Sequence, residues 1–255
     1  MNSSPENVIN NELAHVYAMF EAHIELQKWF KDMALAVCAD LKGLTPDNEL
    51  FARMIADKGM RCFEANFNAV VGQISNLDPT FQVACREGCS YCCFSHITLV
   101  PQEAFNIALY LAEKLDASDF EKIVEVCVEG AEGFDSAGLH EFTMKYFRPC
   151  PFLKDNKCSI YEVRPIACRN WISHDLGPCI KSHESKDCIA VPQNAVIMIQ
   201  KDLIFAGQQA FLDELGINGH IASFLPLMEQ VLTDYEGTYA SWLSGESLRG
   251  QMERK

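Results

Sequence analysis

Cys85-Arg86-Glu87-Gly88-Cys89-Ser90-Tyr91-Cys92-Cys93 is answered downstream by Cys150-Pro151-Phe152-Leu153, Cys158-Ser159-Ile160-Tyr161 and Arg164-Pro165-Ile166-Ala167-Cys168-Arg169. Thiols at such short spacing are ligands for a soft metal ion or an iron–sulfur cluster. Cys89 and Cys92 are two residues apart, which lets a tight turn aim both at one ion, and Gly88 permits a positive φ just before Cys89. Cys85 lies a turn further back. Cys92 and Cys93 are adjacent and are expected to project in different directions, which is awkward for a single tetrahedral ion and argues for more than one mononuclear zinc finger. Cys150, Cys158 and Cys168 follow, then Cys179 and Cys188. Spacing leaves their division open between two four-sulfur sites, one iron–sulfur cluster with extra thiols, and a shared binuclear centre.

Outward from these strings, composition narrows the setting. A chain of 255 residues with 49% hydrophobic content buries a sizeable core without disulfide staples, so its 12 cysteines call for another explanation. The stretch Met1-Asn2-Ser3-Ser4-Pro5-Glu6-Asn7 has no basic segment, apolar run or small-residue cleavage site. A reducing, cytoplasmic location is expected, with free thiols. No apolar run approaches the roughly 20 residues of a membrane span. The net charge of −14 repels a phosphate backbone, so nucleic acid is not expected as a partner. Arg86, Arg148, Arg164 and Arg169 flank the cysteines; they serve either as surface ion-pair partners or as donors to thiolates or to an anion near the metal.

The fold class expected is mainly α, with helical, bundle-like flanks around an irregular, metal-stabilised cysteine-rich module. Apolar residues from Ile9 to Leu41 recur at helical spacing, as one long helix or two short ones. Thr45 and Pro46 are read as the start of a second helix ending near Leu77, the two forming an antiparallel pair. Val100-Pro101-Gln102-Glu103 opens a helix to about Leu115, and Ser118-Asp119-Phe120-Glu121 is read as a capping box for another to about Glu129. Helical spacing returns from Ala195 to Leu215, with Gly216 as its C-terminal cap, and again from Ile221 to Tyr235 around Pro226. The organisation expected is an N-terminal helical extension (1–80), a cysteine-cluster metal-binding module (81–192) and C-terminal helices packing on it (193–255), all in one compact unit.

The linked motifs, C-x3-C-x2-C-C, Cys150-Pro-Phe-Leu, Cys158-Ser-Ile-Tyr161-Glu162 and Arg164-Pro165-Ile-Ala-Cys168-Arg169, resemble the YkgJ-type cysteine-cluster family over about Cys85 to Cys188. The resemblance implies a zinc- or iron-chelating module of eight cysteines: Cys85, Cys89, Cys92, Cys93, Cys150, Cys158, Cys168 and Cys179, with Cys188 the alternative eighth. Its function would be to hold zinc or an iron–sulfur centre in a structural or redox-sensing role. A related cluster in some flagellin lysine methylases raises the alternative of a metal-dependent or iron–sulfur enzyme, a protein-modifying methylase or an oxidoreductase. No catalytic residue is assigned, since H-E-x-x-H, G-x-S-x-G, G-x-G-x-x-G and P-loop patterns are missing. The C-x3-C-x2-C spacing also matches radical adenosylmethionine enzymes, but no alternating strand–helix pattern accompanies it. Cys38, Cys62 and Cys127 read as small buried hydrophobes, and His96, His174 and His183 as hydrogen-bonding or surface groups rather than ligands.

Overall fold

The computed structural model describes residues 4–252, with the side chains of 137–140 excepted; Met1–Ser3, part of the stretch read for a leader, lie outside it. Helices dominate, as the periodicity predicts. The N-terminal third holds α1 (Pro5–Glu12), α2 (Ala14–Met19), α3 (Ile24–Leu41) and α4 (Phe51–Leu77). Ser4 caps α1, its side chain accepting from the Asn7 N–H, and Pro5 takes the first helical position. Where one long helix or two short ones are expected, the chain forms three, broken at Leu13 and across Phe20–His23.

The start expected at Thr45 and Pro46 is not where α4 begins. The Asn48 side chain accepts from the Leu50 N–H (2.8 Å) and the Asn48 carbonyl from the Phe51 N–H (2.9 Å), so an asparagine turn holds the chain out of the helix until Phe51. The chief partner of α3 is α10 (Gln200–Glu214), not α4.

The middle of the chain opens with β1 (Thr98–Leu99) and α5 (Pro101–Lys114), followed by α6 (Ala117–Lys145). The Ser118 capping box is corrected: Asp116 is the cap, its carboxylate accepting from the Asp119 N–H at 2.9 Å. The helix also runs well past Glu129. Its continuation lies against α11 (Phe224–Thr233), where Gly130 admits Leu225 so closely that a Cβ would stand 2.4 Å from Leu225 Cδ1. The cysteine module then supplies β2 (Leu153–Lys154), β3 (Lys157–Cys158), α7 (Ile166–Asn170) and α8 (Leu176–Ser185). Short α9 (Ala195–Met198) leads through Ile199 into α10, and β4 (Ala222–Ser223) pairs antiparallel with β1 before α11 and α12 (Tyr235–Leu243) complete the fold.

The hub is α10, buried along nearly its whole length and packed on α1, α3, α4 and α7. At Gly207 it meets α3 so closely that an added Cβ would lie 2.4 Å from the Ala34 carbonyl oxygen. Buried amides lock the layers together: Gln102 Nε2 donates to Gln208 Oε1 (2.8 Å), and Gln208 Nε2 to the Ile55 carbonyl (3.2 Å). As expected, α10 ends at Gly216, with φ +73°. The Ile217 N–H returns to Leu212 O (2.9 Å) and the Gly216 N–H to Asp213 O (3.0 Å), which is a Schellman ending with Ile217 buried behind it. Pro226 is the third residue of α11, where an N–H would have no intrahelical acceptor. One apolar cluster runs from Ile9 to Leu248 and draws residues from all three expected segments. Among the described residues no helix is long and apolar enough to cross a membrane.

Candidate metal centre

Gly88 takes φ +82°, as its position before Cys89 predicts, and the Cys89 N–H closes the turn onto Arg86 O at 3.0 Å. A 3-10 turn over Tyr91–Phe94 carries the adjacent pair. The Cys93 thiol stands near enough to Cys92 to push the Cys92 thiol upward. Two sulfurs on one tetrahedral ion stand about 3.8 Å apart, a separation open to neighbouring thiols.

The downstream string is folded back by a hairpin. Leu153 pairs with Cys158 and Lys154 with Lys157, and the two turn residues, Asp155 (φ +51°) and Asn156 (φ +59°), are both left-handed, as a type I′ turn requires. This brings Cys158 back beside the start of the hairpin. Its tip is tied to the upstream loop by Ser90 Oγ donating to Asn156 Oδ1 (3.0 Å) and by the Lys157–Glu87 ion pair (3.1 Å). The Cys150 N–H donates to Cys93 O at 2.7 Å, joining the two strings directly through the backbone. Cys168 lies in α7, whose start is held by Glu103: one carboxylate oxygen accepts from the Ile166 N–H (2.8 Å), the other from the Val100 N–H at the head of α5 (3.3 Å). Burial pushes the Glu103 carboxyl up to about 7, against the pull of those two donors and of Arg169.

Cys92 is the centre of this arrangement. Cys85, Cys150, Cys158, Cys168 and Cys179, from separate stretches of chain, all lie within electrostatic range of it. Burial raises all five of those thiols, and each is raised further by neighbouring cysteines; Cys150 reaches about 12. For Cys92 the neighbouring Cys93 comes first and burial second, both upward. Such a set stays protonated unless a cation is present to hold the thiolates. Among the described residues no three Cys, His, Asp or Glu side chains already converge in ligating geometry. What the fold provides is soft donors gathered at one place, which suits zinc or iron by chemistry.

Cys179 belongs to this neighbourhood, within charge reach of Cys85, Cys92 and Cys89, whereas Cys188 is exposed beyond the end of α8. Ser173 links the two ends. Its N–H donates to Cys85 Sγ (3.4 Å), its carbonyl accepts from the Ala84 N–H (2.8 Å), and its hydroxyl is within hydrogen-bonding reach of Cys179. The hydroxyl also accepts from the Asp175 N–H at 3.0 Å, which fixes the turn into α8. Sequence reading missed Ser173; the Ser-x-Asp signal of a serine turn ahead of a helix was available to find it.

The four arginines divide evenly. Arg86 is exposed, and Arg148 is exposed with Glu129 at 3.9 Å. Arg164 and Arg169 instead flank the Tyr161 ring, at 4.7 and 5.5 Å from its centroid. Arg169 is a structural pin: it donates to Arg164 O, Tyr161 O and Glu162 O and pairs with Glu64 of α4 at 2.9 Å.

All twelve cysteines are free. Cys38 and Cys127 are buried, as read, while Cys62 is only half-buried, and Cys127 stands close enough to Cys150 to feel its charge. His96 packs edge-on to Phe142 and is driven down to about 4 by burial, which keeps it neutral. His174 is exposed beside Phe81 (5.9 Å), and His183 lies among Tyr91, Phe94 and Phe147 with a buried, unpartnered Nδ1. The described strands are two-residue pieces, so the repeated strand–helix units of a radical adenosylmethionine barrel are absent among the described residues.

Residues 84–188 match the family model CxxCxxCC, described as a "Putative zinc- or iron-chelating domain". The match begins one residue before Cys85 and ends on Cys188, enclosing the whole arrangement. No curated protein and no solved structure matches the chain.

Proposed function

We propose that this chain, whose residues 84–188 match the CxxCxxCC family model, holds zinc or iron through Cys85, Cys89, Cys92, Cys93, Cys150, Cys158, Cys168 and Cys179, in a structural or redox-sensing role. The observation that carries the reading is the placement of Cys92 within electrostatic range of thiols from separate stretches of chain, in surroundings that favour their neutral form until a cation arrives. With zinc and four thiolates per ion, the site is closed and serves folding. With an iron–sulfur cluster it becomes an electron carrier or an oxidant sensor, because exposed thiolates and clusters respond to oxygen. A reducing compartment goes with either.

Anaerobic purification followed by elemental analysis and an absorption spectrum tests the proposal. A brown protein with broad visible absorbance identifies iron–sulfur; a colourless one with stoichiometric zinc identifies the structural site. Cys89→Ser and Cys158→Ser should each lower metal content and stability together, while Cys188→Ser should leave both unchanged. Full metal content in Cys89→Ser and Cys158→Ser would remove those residues from the site.

A further inference from the structure

Two guanidinium groups beside one ring repel each other, and burial worsens the repulsion unless each has an anion. Arg169 has its own, Glu64, together with three backbone carbonyls. Arg164 differs. Its Nε is buried with no hydrogen-bond partner among the described residues, and its guanidinium stacks on Tyr161 at 4.7 Å. The backbone leading to it is set by Pro165, which holds Arg164 extended at φ −58°, ψ 131°, and by Arg169 Nε donating to its carbonyl (3.2 Å). The side chain is thus stacked in place with no ion-pair partner among the described residues. What lies within reach of that charge is Cys85, Cys92, Cys158 and Cys168, members of both cysteine strings.

We infer that Arg164 is a positioning residue of the metal centre, its Nε–H donating to a thiolate sulfur of the loaded cluster and its charge offsetting the excess negative charge of the thiolates. The inference rests on the metal-binding reading above. It explains why a cation is kept beside another cation in a partly buried place: the missing anion is the cluster itself. Partners of this kind, one shell out from a metal, tune affinity by about 10- to 100-fold.

The test is zinc competition against a chromophoric chelator, with cobalt(II) as a spectroscopic substitute, on the full chain as wild type, Arg164→Gln, Arg164→Lys and Arg86→Gln. Far-UV circular dichroism checks the helical body. Arg164→Gln should weaken zinc binding by about 10- to 100-fold and shift the thiolate-to-cobalt charge-transfer band. Arg164→Lys should recover part of the affinity by restoring charge without the Nε donor, and exposed Arg86→Gln should match wild type. Zinc affinity and a cobalt band in Arg164→Gln indistinguishable from those of wild type would overturn the inference and leave the metal site standing. Should Arg164→Gln fail to fold, Arg164→Lys decides, since affinity equal to wild type would equally overturn it. A wild type that binds no zinc, cobalt or iron overturns both readings.

Discussion

In the helical body buried Phe105 lies against Trp242 at 5.2 Å and against half-buried Tyr235 and Tyr239 at 5.6 and 5.0 Å, and buried Phe51 joins the same Trp242 at 5.9 Å. Across residues 148–192 the buried apolar anchors are Phe152, Ile160 and Ile166, and the rest of the backbone is held by a two-rung hairpin, two short helices and point-to-point hydrogen bonds. The body is stabilised by area removed from water, spread over many contacts. On the metal-binding reading, the module concentrates its stability in a few groups, most of them thiols that repel one another once ionised unless a cation holds them. The difference teaches that the two regions should fail separately, one through cavities and the other through loss of whatever binds its sulfurs.

The largest test of that contrast is metal removal. Chelation should raise amide hydrogen exchange across residues 84–192 by orders of magnitude while amides of α3 and α10 keep their protection. Exchange rising equally in both regions would show that they unfold as one. Next, Phe105→Ala should cost about 3–5 kcal/mol in denaturant unfolding, with metal per chain unchanged. Glu103 lies on the border between the regions. Its folded value of about 7 stands above the ordinary 4.5, so the stability it contributes is full at low pH and is lost as pH rises through 7. The unfolding free energy of wild type minus that of Glu103→Gln should therefore fall by roughly 3 kcal/mol between pH 4.5 and 8, measured by urea titration at stepped pH. Gly207→Ala, which drives a Cβ into the Ala34 carbonyl, should cost about 1–3 kcal/mol in the body alone. The smallest effect, about 1 kcal/mol, is expected for Asn156→Ala, which strains a left-handed turn residue and removes the acceptor of Ser90.

Helices with a sustained apolar stripe were legible, and so were the glycines whose turns need positive φ, Gly88 and Gly216. Helix starts were less so, because short polar side chains compete for them: Asn48 delays α4 past Pro46, and Asp116 takes the cap that Ser118 offers. The length of α6 was hidden because tertiary packing against α11 carries it beyond its own periodicity. The cysteine strings announced the site, yet the Asp155–Asn156 hairpin and Ser173, which bring the thiols together, are local polar turns with no hydrophobic period to reveal them. The choice of Cys179 over Cys188 as the thiol beside Cys85 and Cys89 depends on the course of α8. Spacing alone does not encode that.

The hydrogen bond from the Cys150 amide to the Cys93 carbonyl has a consequence for biosynthesis. Cys85, Cys89, Cys92 and Cys93 leave the ribosome well before Cys150, Cys158 and Cys168 exist, and both α5 and α6 must emerge between them. On the metal-binding reading proposed above, a nascent chain carries an open half-site throughout that interval, and loading by the correct ion is a late event, timed by translation of the segment beyond Cys150.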